Sequence, residues 1–104
     1  MGNIVLAAKI THVPTMLMSE QPGPIFGKRT QAIDGHKEIV ARAKALGADT
    51  VIVLDTHWLV NAGYHVNAAA SFKGNYTSHE IPQFIQNLEY EYEGNPALGD
   101  LIAE

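Results

Sequence analysis

Cysteine is absent from this sequence of 104 residues. Its absence excludes disulfides, thiolate metal sites and cysteine nucleophiles, and leaves nitrogen and oxygen as the donors for any metal. Blocks of basic residues are also missing. Lys and Arg total 7 against 11 Asp and Glu, a net charge of −4 with histidine neutral, so neither nucleic acid nor an anionic membrane is an expected partner. No apolar run approaches the ~20 residues of a membrane helix. The opening MGNIVLAAKITH has no basic region ahead of its apolar run and no small-residue cleavage site. It reads as a mature strand and not as a signal peptide, and the expected location is the cytoplasm.

What is present is enough apolar material for a packed core, 46% of the residues, at a length that fits one small domain or a piece of a larger one. Residues 3–10 read as a first strand. A long stretch rich in proline and glycine follows, VPTMLMSEQPGPIFGKRT, of the kind used as lids or binding loops. Residues 30–46 read as a helix. Ala32, Ile33, Ile39, Val40, Ala43 and Leu46 form an apolar stripe, Thr30 is the expected N-cap, Glu38 and Arg42 pair at i,i+4, and Gly47 is the stop. Residues 50–55 read as a second strand, and two apolar strands around a helix make a βαβ unit. The expected fold is therefore α/β, with a mostly parallel sheet. Further on, residues 62–70 read as a third strand, 82–88 as a short helix and 89–94 as an edge strand. Asn95 and Pro96 then open a helix as N-cap and first helical residue.

The first two expected strands end alike. IVLAAKI leads into Thr11-His12, and VIVLD leads into Thr56-His57. Ligands in open α/β sheets bind outside the carboxyl ends of the strands, and strands joined by one crossover are often neighbours. Two convergent neutral imidazoles suit a divalent first-row metal. Asp55 lies two residues before His57, on the same side of an extended strand. It could accept from an imidazole N–H or form part of the pocket wall. The plainer alternative is that each histidine is a loop or capping residue.

The segments AAKITHVPTM, AIDGHKEI, DTHWLVNAGYHVN and YEGNPALGDLIAE together resemble the start of a class III extradiol ring-cleaving dioxygenase, the family related to the catalytic subunit of protocatechuate 4,5-dioxygenase. The likeness runs along nearly the whole chain, and the two Thr-His segments are its specific part. The resemblance implies non-haem Fe(II) held by two histidines, which fall here on His12 and His57, and by a glutamate. It implies O2 and a catechol as substrates, with 3,4-dihydroxyphenylacetate the expected catechol, in aromatic catabolism. It also suggests a homo-oligomer. Family members are much longer, and their glutamate ligand and acid/base histidine come late in the chain. The expectation is thus an N-terminal segment of a larger catalytic domain, inactive alone, with no catalytic residue assigned within it. Glu80 and Asp55 are weaker candidates for the third ligand.

Two other readings stay open: a zinc hydrolase on the same fold, and a related binding protein without ring-cleavage activity. His36 sits on the helix stripe and reads as a core histidine more readily than as a pocket residue. His65 is read as a polar-face residue and His79 as loop. Trp58 could wall an aromatic site or fill the core. Lys28 and Arg29 could attract a substrate carboxylate, although cations at a helix entrance usually face water.

Overall fold

The computed structural model describes residues 2–57 and 60–104. Its elements are α1 (Thr15–Ser19), α2 (Thr30–Ala45), β1 (Ser71–Tyr76), β2 (Leu88–Glu93) and α3 (Pro96–Ala103). The chain divides into two units, one reaching to Val51 and the other running over Ile52–Glu104. Helix and strand are mixed as expected. Among the described residues the single ladder is antiparallel, between β1 and β2. Residues 3–10, 50–55 and 62–70 take part in no ladder there.

In the first unit, the stretch between the first apolar run and α2 is more ordered than its composition suggests. It holds α1 and a closed loop. Ser19, 3% exposed, closes that loop twice. Its hydroxyl oxygen accepts the Arg29 backbone N–H at 2.8 Å, and its carbonyl accepts the Gly27 N–H at 2.9 Å. Gly27 stands at φ 73°, a conformation that costs glycine least. The Arg29 Nε–H donates to Thr15 Oγ1 at 3.1 Å, tying the loop back to α1.

The cap of α2 differs from expectation. Arg29 is the N-cap, with no side-chain bond, and Thr30 is the first helical residue. The Thr30 hydroxyl donates backwards to the Gly27 carbonyl at 2.8 Å. The N–H of Arg29 itself is satisfied from ten residues upstream, by the Ser19 hydroxyl, which fixes the backbone at the cap position without a capping side chain. At the far end, the Gly47 N–H donates to the Lys44 carbonyl and the Ala48 N–H to the Ala43 carbonyl, both at 3.0 Å. With Gly47 at φ 72° this is a Schellman stop. Ala32, Ile33, His36, Ile39 and Ala43 are half-buried, while Val40 and Leu46 are exposed. Glu38 and Arg42 pair at 2.7 Å.

In the second unit, β1 pairs with β2 from Ser71 opposite Glu93 to Tyr76 opposite Leu88. Alternation places Phe72, Gly74 and Tyr76 on one face with Tyr92, Tyr90 and Leu88. The other face carries Lys73 opposite Glu91, joined at 3.1 Å. The Tyr90 ring lies over Gly74, where a Cβ would meet its Cζ at 2.8 Å. Tyr90 also stacks on Tyr92, with centroids 6.2 Å apart. The edge strand expected at 89–94 is therefore β2, but its partner lies beyond the expected third strand. The helix expected at 82–88 is a single turn, in which the Phe84 and Ile85 N–H groups both donate to the Ile81 carbonyl.

α3 begins as expected. The Asn95 side-chain oxygen accepts the Leu98 N–H at 3.1 Å, and Pro96 follows it. Gly99, buried within this helix, packs on Ala68, so a Cβ at Gly99 would stand 2.6 Å from the Ala68 Cβ. No hydrophobic side chain among the described residues is fully buried. Local order in both units rests on caps, turns and cross-strand pairs. No helix among the described residues is long and apolar enough to cross a membrane.

Candidate metal centre

His12 is exposed and follows the first apolar run at Ile10 and Thr11. An open depression is formed there by Lys9, Ile10, Thr11, His12 and Val13. The backbone just after His12 is fixed by the start of α1: the Met16 N–H donates to the Val13 carbonyl at 3.0 Å and the Met18 N–H to the Pro14 carbonyl at 3.3 Å. A short helical turn thus sets the direction of the chain as it leaves the histidine.

His57, in the second unit, follows the run that includes Ile52, Val53 and Leu54. Asp55 curls forward over it. One carboxylate oxygen, Asp55 Oδ1, accepts the His57 backbone N–H at 2.8 Å and stands 2.8 Å from His57 Nδ1. The first contact is an Asx-turn, the local bond that aspartate forms with the backbone two residues on. The second fixes the ring. An ionised carboxylate only accepts, so the hydrogen between them belongs to Nδ1. Both side chains are partly solvent-exposed, 71% for His57 and 47% for Asp55. The pair therefore sets geometry more than it adds stability.

The structure thus brings together two of the residues singled out in the sequence, Asp55 and His57. The expected contact was side chain to imidazole. The backbone bond on the same oxygen was not foreseen, although the Asp-x-His spacing is the signal for it. His36 lies half-buried on α2, as its place on the stripe required, and its Nε2 is buried without a hydrogen-bond partner among the described residues. His65, His79 and Glu80 are exposed. Arg29 is engaged with Thr15 and Ser19 and serves the loop. Trp58 lies outside the described residues.

Imidazole nitrogens and carboxylate oxygens without thiolate form a donor set suited to a divalent first-row metal. An imidazole whose Nδ1–H is held by a carboxylate is the usual state of a metal-bound histidine. The residues at His57 fit such a group.

Residues 6–104 match the family of the catalytic LigB subunit of aromatic ring-opening dioxygenase. The chain belongs to this family. The matched span contains both Thr-His segments and Asp55. The chain is also 61% identical over 104 residues to a 3,4-dihydroxyphenylacetate 2,3-dioxygenase of Escherichia coli. That alignment takes in the whole of this chain and 38% of the relative's length. Membership agrees with the resemblance read from the two Thr-His segments.

Proposed function

We propose that the protein carrying this chain is an Fe(II)-dependent extradiol dioxygenase that opens the ring of 3,4-dihydroxyphenylacetate with O2, with His12 and His57 as its two imidazole ligands. The observation that carries this reading is the 61% identity, along the whole chain, to a relative of that name. The repeated Thr-His endings, both inside the family match, support the choice of ligands. In this reading the carboxylate ligand and the acid/base group come from residues outside this chain, which forms the N-terminal part of a larger catalytic domain.

His12 and His57 would hold Fe(II) together with a carboxylate from outside this chain, and the metal would supply the redox chemistry that lets a catechol react with O2. This chain's own contribution is positioning. Asp55 holds the His57 ring through Nδ1, and the turn that begins at Val13 fixes the backbone beside His12. Precise placement of reacting groups lowers a barrier by avoiding entropy loss in the transition state.

The parallel arrangement belongs to the same proposal. In sequence order the apolar runs at 3–10 and 50–55 precede and follow α2, the βαβ pattern of a parallel sheet. Several of their residues are strongly exposed, Ile4 at 91% and Leu54 at 94%, and parallel strands are covered on both faces in finished domains. A homo-oligomer in the cytoplasm is the accompanying expectation, supported by the family resemblance and the cysteine-free composition.

The test uses the whole protein, loaded anaerobically with Fe(II) and then given air and a panel of catechols. Oxygen uptake with a yellow ring-opened semialdehyde, fastest for 3,4-dihydroxyphenylacetate, is the expected result. A protein that takes up Zn(II), hydrolyses an ester or amide and consumes no O2 with any catechol would overturn the reading.

A further inference from the structure

We propose that Asp55 is a positioning residue that locks His57 in its Nδ1–H tautomer and so assigns Nε2 as the atom His57 offers to a metal. The inference rests on the reading of His57 as a ligand and deepens it.

Asp55 Oδ1 receives both the backbone N–H and the Nδ1–H of His57, each at 2.8 Å. The backbone bond closes an Asx-turn and sets where the carboxylate sits. The ring bond then sets where the imidazole points. Because both converge on one atom, the ring plane is referenced to the backbone of the same residue, over a span of three residues. A neutral imidazole has one donor and one acceptor nitrogen. With the hydrogen on Nδ1, the lone pair is on Nε2, across the ring from Asp55. Neutral histidine in water favours the opposite form, with the hydrogen on Nε2, which would present the wrong atom. Asp55 therefore works against the intrinsic preference of the ring. The same bonds argue against Asp55 as a metal ligand through Oδ1, since that oxygen already accepts two hydrogen bonds.

The experiment is nitrogen NMR on the metal-free whole protein, labelled with 15N-histidine, at a pH well above the imidazole range. The His57 signals are identified by their loss in His57→Ala. Expected are a protonated Nδ1 and an unprotonated Nε2 in the wild type. Asp55→Ala should move the ring mainly to the Nε2–H form. Asp55→Asn, whose amide oxygen can accept the same two bonds, should restore the wild-type tautomer. Zn(II) affinity, measured by chelator competition, should fall ~10–100-fold in Asp55→Ala, as for the loss of a group that orients a ligand, and should recover in Asp55→Asn. A wild-type His57 carrying its hydrogen on Nε2, or a tautomer unmoved by Asp55→Ala, would overturn the role of Asp55 and leave the ligand assignment standing. Conversely, unchanged Zn(II) affinity in His57→Ala would remove the ligand assignment, whatever the tautomer.

Discussion

Alanine at Gly99 sets two effects of opposite sign against each other. In a helix interior, alanine is favoured over glycine by ~0.8–1.0 kcal/mol. At Gly99 the new Cβ would stand 2.6 Å from the Ala68 Cβ and 3.0 Å from the Ala68 Cα. Neither atom is the end of a flexible side chain, so α3 or the segment at Ala68 must shift. Overpacking of this kind costs ~1–3 kcal/mol. With carbons this close the steric term should win, leaving a net loss of up to ~2 kcal/mol. Gly35 in α2 supplies the control, because a Cβ there meets nothing within 4 Å. Gly35→Ala should therefore show the propensity gain alone. Ala68→Gly removes the nearer of the two contacts, so combining it with Gly99→Ala should recover part of the loss. A coupling of ~0.5 kcal/mol or more is expected for residues in contact. The assay is denaturant unfolding of the whole protein, with hydrogen exchange of the α3 amides locating the change. If Gly99→Ala stabilises the protein as much as Gly35→Ala does, α3 does not pack on Ala68 in this way.

Two further predictions concern the bonds that close loops and caps. Ser19→Ala removes the buried acceptor of the Arg29 N–H; because the Arg29 end is exposed, the unfolding free energy should drop by ~0.5–1.5 kcal/mol, the net worth of one hydrogen bond, with faster proteolysis in the loop at 20–29. Asn95→Ala removes the cap that receives the Leu98 N–H and should cost ~0.5–2 kcal/mol, whereas Asn95→Asp should cost little. Amide exchange in the first turn of α3 would report both Asn95 variants.

Where the signals were local, the sequence was enough to read the fold. The start of α3 was legible because Asn95 and Pro96 are adjacent to the helix they open, and the Schellman stop of α2 was legible from Gly47. The start of α2 was placed one residue late, since Arg29 and not Thr30 is its N-cap, and the bond that fixes Arg29 comes from Ser19, a residue ten positions away that no local pattern includes. The apolar run at 62–70 drew the strand assignment away from Ser71–Tyr76. That true strand has a glycine near its centre, and the cross-strand Tyr90 ring fills the space over it. In the candidate site, Asp55 and His57 could be paired in advance because they lie two residues apart. The backbone N–H of His57 that the same oxygen also accepts was signalled by that spacing too, since aspartate closes an Asx-turn with the residue two positions on.

His12 and His57 are proposed above as the two imidazole ligands of the metal. The direct measurement is iron stoichiometry after anaerobic Fe(II) loading and desalting, for the whole protein and for its His12→Ala and His57→Ala variants, each checked for native circular dichroism. Stoichiometric iron is expected in the wild type and a loss of most of it in each variant, with catechol-dependent O2 uptake lost in parallel. Full iron occupancy in either folded variant would contradict that assignment.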